Sequence, residues 1–346
     1  MDGASTEHRD ACIADFLSQS EWKSARPVAL AGDASRRRYF RLIGGPSERR
    51  ALLMDADPAL GEDVRPFIAA STYLAAQGLR PPQIYDANEV SGFLILEDFG
   101  DDVFDRHCAR LPHDEMGMYE SATDVLAHLT NAPLLSGVRD YRDDMVDLAL
   151  SPLRWYADPL SDLNLAEAEE ECRTILQPLV ESLRRRSATI LRDFHAQNLI
   201  WMGGETGFAR VGLLDFQDAM IGPPVYDLVS LVTDARRDVP HAVRQMCQER
   251  FLAQVPYDRE EFLRDIAICS AQRNLRILMI FARLSLYFGK PEYVALIPRV
   301  WAHLWNDLSH PDLADLKQAL DRCLPEPTSA NLDELRARCG TVQTLQ

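Results

Sequence analysis

No uncharged apolar run in this chain approaches the roughly 18 residues that a membrane-spanning helix requires. The longest candidate, residues 266–288, is interrupted by Arg273, Arg276 and Arg283. Between Met1 and Ser20 the charges of Asp2, Glu7, Asp10 and Asp15 leave no apolar segment of signal-peptide length. A cytoplasmic setting, with no membrane association, is therefore expected. The pairing C-x-x-C is absent too. The 7 cysteines are odd in number and never closer than 16 positions, which excludes a zinc knuckle or thioredoxin-like pair and predicts reduced thiols. The chain has no G-x-x-x-x-G-K-[ST] loop, no H-E-x-x-H, no G-x-S-x-G and no G-x-G-x-x-G opening a βαβ unit. These absences remove the common NTPase, metalloprotease, esterase and dinucleotide readings. Positive charge is also short. With 53 acidic residues against 37 Lys plus Arg the formal charge is −16, so no field gathers nucleic acid or an anionic membrane. An anionic substrate must be met by a local Arg cluster or a metal. Nothing in the pattern asks for an obligate protein partner.

What is present suits a folded protein of two lobes: 346 residues, 47% apolar and 26% charged. Short strand patterns occupy the first hundred residues, at 28–30, 39–43, 50–54, 83–85 and 93–97, with turn-forming residues at 31–35, 44–47 and 86–89. Between them Val64, Phe67, Ile68, Leu74 and Ala75 recur at helical spacing, and Gly78 is placed to stop that helix. Beyond residue 100 helical patterns dominate, including one long helix over 164–186, interrupted only by a strand pair at 198–202 and 208–216. The expected fold is α+β: a small antiparallel-sheet lobe over 1–100 and a larger, mainly helical lobe over 101–346, with a ligand cleft between them.

The densest chemistry lies in Leu191-Arg-Asp-Phe-His-Ala-Gln-Asn198 and Gly212-Leu-Leu-Asp-Phe-Gln217. Asn198 and Asp215 fall at one end of the strand pair, and two oxygen-bearing side chains held side by side suit a hard cation such as magnesium. Asp193, just before, stands where a carboxylate could take a proton from an attacking hydroxyl, the arrangement phosphoryl transfer needs. Each residue alone has a structural alternative: Asp193 capping a loop, Asn198 opening a strand, Asp215 ending one.

R-D-x-x-x-x-N followed by D-F resembles the catalytic loop and metal-binding Asp of protein-kinase-like folds. The continuation from Asp215 through Gly222-Pro-Pro-Val-Tyr-Asp-Leu228 resembles the aminoglycoside phosphotransferase and choline kinase-like superfamily. Within it, the chain looks most like the bacterial anomeric sugar kinases acting on N-acetylmuramate and N-acetylglucosamine. Segments 32–40, 52–56, 96–101 and 272–277 support this likeness. The resemblance implies a bilobal kinase fold, with ATP and Mg2+ as cofactors and a small sugar as acceptor in peptidoglycan recycling. It implies Asp193 as catalytic base and Asn198 and Asp215 as metal ligands. The turn from Ala31 to Arg38, with Asp33, Ala34, Ser35, Arg36 and Arg38, would cover the ATP phosphates, and Leu96 to Phe99, with Glu97 and Phe99, would form the adenine hinge. Asp227 would buttress the catalytic loop without touching substrate.

Met54 departs from the wider pattern, standing where a phosphate-binding lysine is usual, and a thioether cannot replace an ammonium beside a triphosphate. Arg36, Arg37, Arg38 or Arg41 are candidates to supply that charge, or form a solvated basic turn. For the sugar, Arg273, Arg276, Asp218 and Trp155 are candidates. The arginines have the alternative of salt-bridging within the helical lobe, and Trp155 that of a core residue. His195 reads as structural. Two other functions share the motifs: a kinase for an aminoglycoside, choline or other amino alcohol, and a catalytically silent nucleotide-binding regulator.

Overall fold

The computed structural model describes residues 3–30, 36–46, 49–161 and 163–343, with side chains from residue 8 onward. In chain order the elements are α1 (Gly3–Gln19), β1 (Arg26–Ala29), β2 (Arg38–Ile43), β3 (Ala51–Asp55), α2 (Arg65–Ala76), β4 (Ile84–Asn88), β5 (Phe93–Glu97) and α3 (Phe104–Arg110). There follow α4 (Glu115–Asn131), α5 (Arg142–Pro152), α6 (Leu165–Ser182), β6 (Ala188–Ile190), β7 (Leu199–Trp201), β8 (Val211–Leu213) and β9 (Met220–Gly222). The helices α7 (Tyr226–Val232), α8 (His241–Leu252), α9 (Arg259–Leu286), α10 (Ile297–Asp307), α11 (Ala314–Cys323) and α12 (Ser329–Ala337) complete the chain.

Two compact units result, and they interleave in sequence: Met1–Ser121 with Gln197–Asp218, and Ala122–Ala196 with Ala219–Gln346. Packing thus groups 101–121 and 197–218 with the first hundred residues, where the sequence suggested a boundary at residue 100. The cause is hydrogen bonding. Leu213 N–H donates to the Arg80 carbonyl at 2.9 Å and Trp201 N–H to that of Asp102 at 3.0 Å, which ties the β7–β8 hairpin to the earlier segments.

The first unit is built on a five-stranded antiparallel sheet of order β1-β2-β3-β5-β4. Alternation along β3 sends Ala51 and Leu53 into a core with Ile13 and Leu17 of α1, Trp22, Leu42, Phe93 and Ile95. Asp55, on that same face, is held by Arg9 at 2.6 Å and Arg38 at 2.7 Å. Gly78, at φ 73, takes the left-handed turn that ends α2 and that a side chain would oppose. Gly212 is required for a different reason: a Cβ there would lie 2.9 Å from the Phe99 ring.

In the second unit α9, 28 residues long, is capped by Asp258, whose carboxylate accepts the Glu260 and Glu261 N–H groups. Its buried face includes Leu275, Leu278 and Phe281 and packs against α5, α7 and α10. Asp307, at the end of α10, accepts hydrogen bonds from Ser270 Oγ at 2.6 Å and Asn274 Nδ2 at 2.8 Å. Burial outweighs these bonds and pushes its carboxyl up to about 7. Between about pH 4, where an unfolded aspartate ionises, and about pH 7, the folded chain keeps a proton that the unfolded chain has lost. Its contribution to stability therefore falls as pH rises through that window. Asp307→Asn is expected to flatten the decline by up to ~1.4 kcal/mol per pH unit, read from denaturant midpoints at several pH values. An unchanged slope would contradict it.

Among the described residues no helix is long and apolar enough to cross a membrane.

Candidate active site

In the second unit β6 pairs antiparallel with β9, and the chain then turns sharply at Leu191 and Arg192. Arg192 sits at φ 71, a left-handed conformation that a long side chain rarely adopts. Asp227, in the first turn of α7 and 2% exposed, holds it there. Its Oδ2 accepts Leu191 N–H at 2.5 Å and its Oδ1 accepts Arg192 N–H at 2.9 Å. Desolvation raises the Asp227 carboxyl to about 7 even though the two N–H groups favour its charged form. The bonds are those expected of a loop buttress, and they set the backbone from which the next residue, the half-buried Asp193, projects.

Around this loop lie several polar groups of the same unit. His195 is buried, and its N–H donates to the Asp193 carbonyl at 3.1 Å. Burial drives its imidazole down to about 4, so it is neutral at pH 7 and a weak base, in keeping with a structural role. Arg276 hydrogen-bonds the Tyr226 hydroxyl and lies within electrostatic reach of Asp193. The Tyr226 hydroxyl is 3.1 Å from that of Tyr141, over whose ring the Arg192 guanidinium lies at 5.1 Å. Arg273 is 5% exposed, donates to the Thr233 carbonyl at 3.3 Å and faces the charge of Asp227. Trp155 is buried in a π-helical turn over Leu153–Ala157, with Arg154 against its ring.

The β7–β8 hairpin belongs to the first unit. Leu199 pairs with Leu213 and Trp201 with Val211, and Leu214 N–H donates to the Asn198 carbonyl at 3.0 Å. That register brings Asn198 and Asp215 to the same end of the hairpin, with Asn198 Nδ2 3.3 Å from Asp215 Oδ2. Asp215 is exposed and takes φ 57, which its short polar side chain tolerates. Gln217 donates to its other oxygen at 2.8 Å. The intervening Phe216 is buried against Phe67, ring centroids 4.8 Å apart, and fixes the turn. Among the described residues no three His, Cys, Asp or Glu side chains gather as a metal cluster. One amide and one carboxylate, both offering oxygen, do suit magnesium, whose remaining positions nucleotide phosphates and water fill.

The basic turn is less free than its sequence suggested. Arg38 is committed to Asp55 and Asp10, and Arg41 to Asp98 at 2.7 Å and Asp101 at 3.0 Å. The exposed Arg36 donates to the Leu60 carbonyl at 3.0 Å. Asp33, Ala34 and Ser35 lie outside the described residues. Arg37 pairs with Glu62 at 2.7 Å and lies within electrostatic reach of the exposed Asp218. It also hydrogen-bonds Tyr39, whose hydroxyl burial pushes up to about 12 and which feels Asp215. Met54, 1% exposed, stands opposite Tyr39 and Leu94. The chain's lysines are Lys23, Lys290 and Lys317, so none lies on this strand. In the segment expected to form the hinge, the Glu97 carboxylate forms a two-pronged pair with Arg80 at 2.6 and 2.7 Å. Arg80 in turn lies 4.7 Å over the Phe99 ring. Glu62 and Arg80 escaped sequence reasoning because their partners, Arg37 and Glu97, are distant along the chain.

Comparison with known proteins gives this geometry a context. The model of the Phosphotransferase enzyme family matches residues 27–263. A Caulobacter vibrioides protein named N-acetylmuramate/N-acetylglucosamine kinase is 35% identical, over 93% of this chain and 99% of its own. A Pseudomonas aeruginosa protein of that name is 31% identical, over 93% and 96%. Among solved structures, a choline/ethanolamine kinase family protein from Mesorhizobium loti superposes with a TM-score of 0.60 at 13% identity, covering 95% of this chain and 99% of that one. That likeness shows the fold, a protein-kinase-like one. Carrying the family's signature over most of its length, the chain belongs to the phosphotransferase enzyme family and is an ATP-dependent kinase.

Proposed function

We propose that this kinase transfers the γ-phosphate of ATP to the anomeric hydroxyl of N-acetylmuramate and N-acetylglucosamine, in the cytoplasmic recycling of cell-wall sugars. The observation that carries the substrate is the 35% identity, along nearly the whole of both chains, to a protein named for these two sugars. The chemistry is a displacement at phosphorus. The sugar O–H bond breaks as its oxygen bonds the γ-phosphorus, and the bond from that phosphorus to the β,γ-bridging oxygen breaks to release ADP. Asp193 accepts the hydroxyl proton. An anomeric hydroxyl is more acidic than an ordinary alcohol, so a carboxylate suffices. Asp227 keeps the loop in the conformation that presents Asp193. Asn198 and Asp215 would hold Mg2+, which when bound neutralises phosphate charge.

Without a lysine on β3, positive charge toward the nucleotide falls to Arg37, the arginine of that turn that reaches both Asp218 and Tyr39. Arg37→Ala is expected to raise the KM for ATP about 10-fold and to leave the sugar KM within about twofold. An unchanged ATP dependence would remove this compensation.

The test of the function is direct. The protein, ATP, magnesium and either amino sugar are incubated and followed by phosphorus NMR, with choline and an aminoglycoside as rival acceptors. An anomeric sugar phosphate is expected. Transfer to a rival acceptor alone would redirect the assignment, and transfer to none would reject it.

A further inference from the structure

Asp234 and Arg273 hold polar capacity that the protein itself leaves unspent. Asp234 follows α7 and is 2% exposed; its Oδ1 accepts Arg236 N–H at 2.8 Å. Its Oδ2, also buried, accepts no hydrogen bond among the described residues. Arg273 of α9 is 5% exposed and reaches the carbonyl of Thr233, the residue just before Asp234, at 3.3 Å. Its buried Nε–H likewise has no acceptor among the described residues. Buried donors and acceptors are nearly always satisfied, because leaving one unmade forfeits its hydration. The Arg273 guanidinium, bonded to the Thr233 carbonyl, thus brings an unspent donor to the neighbourhood of the residue that carries an unspent acceptor. The pair belongs to the surroundings of the catalytic loop: the His195 ring feels the charges of Asp234, Arg273 and Asp193 alike.

The chemistry of the pair selects its ligand. A carboxylate would meet the Arg273 guanidinium but be repelled by Asp234. An ammonium would meet Asp234 but be repelled by Arg273. A neutral group that donates and accepts at once satisfies both: its O–H or N–H donates to Asp234 Oδ2, and its oxygen accepts from Arg273 Nε.

We propose that Asp234 and Arg273 form an acceptor subsite for a neutral ring hydroxyl, or for the acetamido group, that N-acetylmuramate and N-acetylglucosamine have in common. This deepens, and rests on, the function proposed above. It assigns Arg273 to a group that both sugars share, and it disfavours cationic acceptors such as choline.

The experiment crosses Asp234→Asn with trimmed acceptors: 4-deoxy- and 6-deoxy-N-acetylglucosamine, and 2-deoxyglucose, which lacks the acetamido group. With the parent sugars the variant is expected to lose about 10- to 100-fold in kcat/KM, mainly through the acceptor KM, equally for both sugars and with the ATP KM unchanged. One trimmed acceptor should be poor with the wild type by a similar factor and lose little more with the variant. That coupling is a signature that mere loosening of the fold does not produce. Equal additional losses with every acceptor would overturn the subsite, as would an unchanged acceptor KM or a loss confined to N-acetylmuramate. Should the variant not fold, the wild type still decides: less than threefold discrimination against every trimmed acceptor overturns the proposal, and a loss of 10-fold or more for one of them supports it. A wild type that phosphorylates neither sugar would reject the function itself. Normal wild-type transfer with an indifferent variant would reject only the subsite.

Discussion

Replacing Asp193 by asparagine is expected to lower sugar phosphorylation by about 10³-fold or more while leaving nucleotide affinity within about twofold. Asparagine keeps the size and hydrogen-bonding reach of the side chain but cannot accept a proton at neutral pH. The loss should therefore fall on kcat, not on either Michaelis constant. No neighbour in the loop can substitute. His195 is buried with its imidazole driven down to about 4, so it would take the hydroxyl proton only weakly. Rapid-quench measurement of a single turnover, with calorimetric titration of ADP, separates chemistry from binding. A variant retaining a tenth of the wild-type single-turnover rate would place the proton elsewhere.

Asp227→Ala tests the support beneath that loop. Removing the carboxylate strips two buried N–H groups, those of Leu191 and Arg192, of acceptors now at 2.5 and 2.9 Å. Each lost bond costs about 1–3 kcal/mol, and the left-handed Arg192 loses what holds it. Against this stands a relief, because a carboxyl raised to about 7 by burial is itself a burden on the fold at higher pH. The sign follows from proton counting. Between about pH 4 and about pH 7 the folded chain binds the proton and the unfolded chain does not, so the Asp227 contribution declines as pH rises. The net expectation near pH 6 is a loss of about 2–4 kcal/mol in denaturant unfolding, with kcat down at least 100-fold. At pH 8 the stability loss should be smaller. Equal losses at pH 6 and pH 8 would refute the burial account, and full activity in a stable variant would refute the buttress.

Much of this was legible in the sequence because it is local. Short apolar runs between turn residues marked β2, β3 and β5, helical spacing with Gly78 marked α2, and the strand pair at 198–202 and 208–216 put Asn198 and Asp215 at one end. Two local features misled. The Asp86-Ala-Asn-Glu89 stretch read as a turn, yet Asp86 to Asn88 continue β4, because pairing with β5 across a bulge outweighs the preference of Asp and Asn for turns. Helix α1 gave no clear period, since only Ile13 and Leu17 of its described side chains are buried and the rest face outward or sit half-covered. The remaining gaps are long-range. That Arg38 meets Asp10 and Asp55, or that Arg273 reaches the carbonyl just before the buried Asp234, depends on which segments fold together. Adjacent residues carry no record of it.

The interleaving of the two units has a consequence for how the chain is made. On the ribosome the first 121 residues emerge well before 197–218, yet it is Phe216 that covers Phe67, and Gly212 that packs against Phe99 and bridges to Arg80. Until those later residues appear, the nascent amino-terminal portion exposes aromatic rings with no cover and lacks a strand partner at Arg80. Its completion must await translation of some hundred further residues.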